Sequence, residues 1–264
     1  MKTQGQEHPE CTLIHPPICP TNAEDGHTQL AQNAPALVGL DFPFSFPQGF
    51  VASQGVSEDS WDDVLRFFAR VEDLRGFIES HRPPFYRTGG FGLDTPFQAY
   101  RHTERACASR PETVFHDVGP KQVAKAAVRG MQALGRLRSQ SGADVRFWPF
   151  DGPADADCSA VVEIFPRVFL DEMGRPSKND RAARGRTVDD MIRRGLCSSD
   201  TQRSDAIESD DAFDALASAF GMWQRETGGQ GCSSYPAQIY SDPAVRIEGW
   251  IWGVPYAGPP PAES

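Results

Sequence analysis

Three short apolar runs, each closed by a nearby proline, constrain this chain more than any other feature. They are Ala36-Leu-Val-Gly-Leu-Asp41 before Pro43, Val145-Arg-Phe-Trp148 before Pro149, and Ser159-Ala-Val-Val-Glu-Ile-Phe165 before Pro166. Proline has no N–H for a sheet ladder, so a central strand has to stop where one appears. Runs this brief and this apolar suit strands buried on both faces, as in a parallel sheet. The first stops near Phe42, because Pro43 and Pro47 bracket Phe44-Ser45-Phe46.

Helical periods lie between and after the strands. Ser60 and Asp63 read as a capping-box pair, followed by Leu65, Phe68, Val71, Leu74 and Ile78 at spacings of three or four, and Pro83-Pro84 ends that helix. Pro120 suits the first turn of a second helix, with Val123, Ala127, Met131, Leu134 and Leu137 as its buried stripe. A third spans Arg184–Leu196 with Val188, Met191 and Ile192 inward. The last starts after Ser209 and buries Phe213, Leu216, Ala217, Phe220 and Trp223. This alternation across 36–226 predicts an α/β fold, a parallel or mixed sheet with helices on both faces. Residues 85–111 read as a long surface excursion, and Glu248-Gly-Trp-Ile-Trp-Gly253 as a final packed segment. Residues 1–34 are polar and Pro-rich, an arm with at most a short strand around Thr12–Ile14. Residues 35–256 form the domain and 257–264 a flexible tail.

Composition narrows the function classes. Seventeen Phe and five Trp call for a real core. The formal net charge of −10 argues against a broad nucleic-acid or membrane-binding coat, while leaving room for a small site in which metal ions supply positive charge. Arginines recur from Arg129 to Arg146 and from Arg175 to Arg194, and a polyanion-facing side would run along those segments. Cys11, Cys19, Cys107, Cys158, Cys197 and Cys232 form no C-x-x-C pair, which suits free thiols in a reducing cytoplasm. The start MKTQGQEHPE has no apolar core segment, and no run of about 18 apolar residues occurs, so neither a signal peptide nor a membrane partner is expected.

Four carboxylates stand in apolar surroundings where a charge is costly: Asp41 at the end of the first strand, Glu163 inside Val161-Val-Glu-Ile-Phe165, and Asp211 and Asp214 at the start of the last helix. Asp211 and Asp214 are one turn apart and share a face. Brought together, these groups repel and their pKa values rise, unless Mg²⁺ or Mn²⁺ lies between them. Such ions activate water and stabilise the leaving oxygen in phosphodiester hydrolysis. Other readings stand beside this one. Acidic residues favour a first helical turn, Asp41 can accept turn hydrogen bonds, and an arginine can neutralise Glu163. The six histidines, His8, His15, His27, His81, His102 and His116, make no zinc motif. Arg87-Thr-Gly-Gly-Phe-Gly lacks the Lys-Ser/Thr of a phosphate loop, and no G-x-S-x-G elbow occurs. Arg101, His102, Thr103 and Arg105, with Lys121 and Lys125, are either phosphate contacts or a solvated basic patch.

Val38-Gly-Leu-Asp-Phe-Pro-Phe-Ser-Phe-Pro47, Val161-Val-Glu-Ile-Phe-Pro166, Asp211-Ala-Phe-Asp-Ala-Leu-Ala217 and Glu248-Gly-Trp-Ile-Trp-Gly253, in this order, resemble the DUF429 family of predicted nucleases. The resemblance covers about residues 36–253. It implies a ribonuclease H-like mixed sheet whose acidic residues bind Mg²⁺ or Mn²⁺ to cleave structured or single-stranded nucleic acid. Asp211 and Asp214 are also similar to the last-helix motif of Holliday-junction resolvases of that superfamily. Such proteins open with a strand carrying an Asp, whereas here a polar arm precedes Ala36, and neither Glu24 nor Asp25 lies on an apolar strand. The alternative is a catalytically degraded relative that binds a nucleic acid or protein partner. A third reading is an unrelated small-molecule enzyme, and an exposed sheet edge would favour a homodimer.

Overall fold

The computed structural model describes residues 35–57, 60–86, 97–117, 122–142, 144–153 and 157–259. The arm, Glu24, Asp25, Pro120, Lys121 and the Arg87-Thr-Gly-Gly-Phe-Gly segment lie outside the described residues, as do His8, His15 and His27.

The three proline-stopped runs form the strands. β1 is Leu37–Leu40, β2 Val145–Trp148 and β3 Ser159–Glu163, in the order β1-β3-β2. Both pairings are parallel, with Val38 opposite Val161 and Phe147 also opposite Val161. The sheet is therefore parallel, not mixed, among the described residues, and β1 and β2 are its edges. Every residue of β3 is buried. Trp252 N–H donates to the Glu163 carbonyl at 2.8 Å and Ile251 bridges Glu163 in parallel, so the tail packs against the carboxyl end of β3.

The helices are α1 Gln48–Ser53, α2 Trp61–Ala69, α3 Leu74–Ser80, α4 His102–Ala106, α5 Val123–Gln140, α6 Pro166–Glu172, α7 Arg181–Arg193, α8 Asp200–Glu208, α9 Asp210–Thr227 and α10 Pro243–Glu248. Alternate strand residues face opposite cores. Phe147 and Val161 join Val64, Leu65 and Phe68 of α2 and Ala127, Val128 and Met131 of α5. Trp148 and Val162 join Phe169 of α6, Met222 of α9 and Trp250–Trp252. Helices thus cover both faces, as the alternation predicts.

The structure departs from the sequence expectations at five points. The helix expected from Ser60 to Pro83 is two helices, broken at Arg70–Asp73, where the Asp73 carboxylate accepts from Gly76 N–H and starts α3. Ser60 caps α2 through Asp62 N–H, so Asp63 is not part of the cap contact. Ile192 is 37 % exposed rather than inward, whereas Val188 and Met191 are buried. Pro166 opens α6 as well as closing β3, because the first turn of a helix needs no proline N–H. Cys107, Cys158 and Cys232 are free, but Cys197 is disulfide-bonded, which departs from the all-thiol expectation.

Gly39 fixes how α9 meets the sheet. A Cβ there would lie 2.8 Å from Met222 Sδ and 2.9 Å from the Ile164 side chain. Only glycine lets α9 approach β1 this closely, and that approach sets Asp214 near Asp41.

Candidate functional site

The chain leaves β1 at Asp41 and crosses the carboxyl end of the sheet as Phe42–Pro47. In parallel sheets ligands bind at this end of the strands. Asp41 is exposed at the rim. The surrounding protein nonetheless desolvates its carboxyl, and with the charges of Asp214, Glu163 and Asp211 this pushes it up to about 7, against the pull of Lys178. The four carboxylates named from sequence therefore share one electrostatic neighbourhood, although their side chains do different things.

Asp214 lies one turn into α9, behind the Ser209 cap and the first-turn acids Asp210 and Asp211. Its Oδ2 accepts from Lys178 Nζ at 2.5 Å, while Oδ1 is buried and has no hydrogen-bond partner. Burial, with Asp210 and Asp211, raises the Asp214 carboxyl above the usual range, while Lys178 pulls it down. Lys178 is raised in turn, its burial outweighed by the bond to Asp214 and by the neighbouring acids. Asp211 is exposed on the first turn.

Glu163 behaves otherwise. Its Oε2 accepts from Arg101 Nη1 at 2.8 Å and from Phe44 N–H at 2.9 Å, and its Oε1 accepts from Arg101 Nη2 at 2.5 Å. Arg101 is 1 % exposed and also donates Nε to Glu104 Oε1 at 2.9 Å and Nη1 to the Glu248 carbonyl at 3.0 Å. Burial works against the Arg101 charge, but Glu163 and Glu104 overcome it and raise its pKa. Glu104 is pushed up to about 7 by burial, against Arg101. A forked, two-bond pair of this kind fixes both partners in place. Glu163 is thus held by arginine, the alternative that the sequence left open, and is not offered to a ligand.

The expected basic patch breaks up. Arg101 is the buried clamp, and Thr103 Oγ1 accepts from Ile251 N–H at 2.8 Å. His102 donates its backbone N–H to Glu248 Oε2 at 2.7 Å, and its Nδ1 lies 2.8 Å from the same oxygen. Arg105 alone of the four is exposed. Lys125 faces Asp117 at 3.4 Å. The arginines of 175–194 do not form a free basic face either. Arg175 pairs with Asp171, Arg181 with Glu208, and Arg193 and Arg194 with Asp190. Arg184 is buried and donates to backbone carbonyls, Ile207 O among them at 2.9 Å. In the earlier segment Arg138 bridges Asp62 and Asp151.

The sequence expectation is that Mg²⁺ or Mn²⁺ is held by all four acids. Among the described residues, no three His, Cys, Asp or Glu side chains are grouped so as to hold a metal ion. Glu163 does not fit, because both of its oxygens are occupied. Asp41 and Asp214 differ from it: one is raised by burial and then by the acids around it, and the other carries an orphaned buried oxygen. No helix among the described residues is long and apolar enough to cross a membrane.

Glu104 and Glu248 are not among the candidate site residues that the sequence offers, yet both are buried and bonded at this end of the sheet. The signal for Glu248 was its place in the Trp-rich tail segment, where a charge needs a partner. No family model matches the chain, and neither the curated proteins nor the solved structures contain a significant match.

Proposed function

We propose that the chain is a divalent-cation-dependent phosphodiester hydrolase acting on nucleic acid, with its site at the carboxyl end of β1 on a ribonuclease H-like arrangement. The supporting observation is a local excess of negative charge. Burial raises Asp41 and Asp214; Asp214 and Asp211 add to this at Asp41, and Asp210 and Asp211 at Asp214, against the Lys178 ammonium, and the buried Asp214 Oδ1 has no partner. A site in that state is relieved by a cation, which favours the charged form of both carboxylates. Mg²⁺ or Mn²⁺ would be held by Asp41 and Asp214, where it would supply Lewis acidity towards a phosphate oxygen and a lower pKa for bound water. Asp211 adds charge nearby without committing a buried oxygen. Glu163 acts as a positioning residue: with Arg101 it fixes Phe44 and hence the loop that follows Asp41.

The ribonuclease H-like reading rests on parallel β1 and β3, with Asp41 directly after the first and Glu163 closing the second, and on an Asp-x-x-Asp helix whose acids act on Asp41. With a net charge of −10, substrate contact would be local to the site.

The test is Mn²⁺ titration by calorimetry, followed by cleavage of single-stranded and structured DNA and RNA. Wild type is expected to bind Mn²⁺ and cut at least one substrate. The Asp41→Asn/Asp214→Asn double variant should lose both binding and at least ~100-fold in rate, the scale of a removed electrostatic contribution. Failure of wild type to bind Mn²⁺ would remove the site. Binding without cleavage would select the second reading, a degraded relative that only binds a nucleic acid or protein partner. Two observations favour that reading: Arg101 occupies Glu163, and Lys178 already sits on Asp214.

A further inference from the structure

Arg184 is a buried guanidinium that pairs with no carboxylate among the described residues. It is 7 % exposed, and each of its nitrogens donates to a backbone carbonyl: Nε to Ile207 at 2.9 Å, Nη2 to Glu208 at 3.2 Å and Nη1 to Lys178. A buried charge needs a counterpart. The Ile207 and Glu208 carbonyls supply it, because they end α8 and carry the negative end of its dipole. Arg184 thereby fastens the backbone of Lys178 to α8. The loop around Lys178 is held on both sides as well. Arg175 N–H donates to the Leu170 carbonyl at 2.8 Å, and Asp180 caps α7 by accepting from Ala182 N–H at 2.9 Å. The lysine side chain is freer than its backbone. It keeps 43 % exposure, and one of its three N–H groups donates to Asp214 Oδ2 at 2.5 Å. No other described group accepts from it. Neighbouring cations are committed elsewhere, Arg175 to Asp171 and Arg181 to Glu208, while Arg186 faces Asp180 at 3.9 Å.

We infer that Lys178 is the contact for a substrate phosphate and that Arg184 positions it. The inference rests on the hydrolase reading proposed above. Asp214 divides its oxygens: Oδ2 holds the ammonium, and Oδ1 has no donor and is open to the cation. A carboxylate used in this way sets two positive charges side by side, and a phosphodiester has two non-bridging oxygens to meet them. One lies on the cation, and the other accepts from the Lys178 N–H groups that Asp214 does not use. The Lys178 charge also acts on Asp41, the second proposed cation ligand, so the ammonium stands at the same crevice. A compact ammonium recognises phosphate and reads no base edge, so this contact selects the nucleic-acid backbone and not a sequence.

The test is binding of single-stranded DNA and RNA oligonucleotides to the full chain in Mn²⁺, followed by fluorescence anisotropy across a salt series, with cleavage read in parallel. Lys178→Gln should lower the slope of log affinity against log salt by ~0.7, the share of one phosphate on a single strand. In a cleaving protein its KM should rise ~10-fold with kcat nearly unchanged. Lys178→Arg should restore both. Arg184→Met should reproduce the loss, and adding Lys178→Gln to it should change little further. Should Arg184→Met fail to fold, the two Lys178 variants, altered at a half-exposed side chain, carry the test alone. An unchanged salt slope in Lys178→Gln overturns the inference, and cleavage by the wild type would then leave the hydrolase reading intact. A lowered slope with a wild type that cuts nothing supports the phosphate contact and overturns the hydrolase reading. A wild type that binds no oligonucleotide overturns the inference, and Mn²⁺ calorimetry then judges the cation site by itself.

Discussion

Two groups of acidic residues sit at the carboxyl end of one small parallel sheet and are treated in opposite ways. Around β3, Glu163 and Glu104 are buried and share Arg101, whose guanidinium spends its donors on them and on a carbonyl. Around β1, Asp41 and Asp214 have Lys178 between them, Asp210 and Asp211 beside them, and an oxygen left without a donor. Each group has one cation, and what differs is the reach of its donors. The Arg101 fork bonds both Glu163 and Glu104, and those acids become part of the framework. The Lys178 ammonium bonds Asp214 and leaves its Oδ1 without a donor, so that oxygen stays available to a ligand.

The sharpest way to break this contrast is to remove the clamp. Arg101→Met leaves two acids buried without their cation and should lower unfolding free energy by about 3–5 kcal/mol, read from urea denaturation. A loss below about 1 kcal/mol would mean that the β3 acids are as loosely held as those of β1. Lys178→Gln probes the other side. With the ammonium gone, Mn²⁺ should bind roughly tenfold more tightly by calorimetry, about 1.4 kcal/mol. Weaker binding would show that Lys178 helps to build the site.

Asp41→Asn should stabilise rather than destabilise the fold. The Asp41 carboxyl titrates near 7 when folded, against 3.8 for an unhindered one, so the native state holds that proton more tightly than the unfolded chain does. Its contribution is therefore most favourable below about pH 4, declines as pH rises towards 7, and is flat above. The substitution should remove this slope and add about 1 kcal/mol at pH 8, a figure reduced for the exposure of the side chain. Asp211→Asn, at an exposed first-turn position, should change stability by less than about 0.5 kcal/mol at either pH.

The strands were legible because proline marks their ends, and the last helix because Ser209 and the stripe from Phe213 to Phe220 agree. The split between α2 and α3 was hidden by Val71 and Leu74, which keep the helical spacing across the break, although Asp73 is an ordinary helix-starting residue. Helix α8 has one buried side chain, Ala206, and so no stripe to read. Of the site, the four acids could be picked out because each breaks an apolar context. Their partners could not: Arg101 is 62 positions from Glu163, and His102 is 146 from Glu248. Burial of Glu163 demanded a cation, but only folding selects which of the many arginines supplies it.

The separation between β1 and its partner strand bears on how the chain is made. Ala36 N–H donates to Ser159 Oγ across 123 positions. At a synthesis rate of about 5–20 residues per second, Leu37–Leu40 emerges roughly 6–25 s before the strand that covers it. Throughout that interval Leu-Val-Gly-Leu is a bare, uncharged edge-former, and a chaperone or a neighbouring nascent chain has first claim on it.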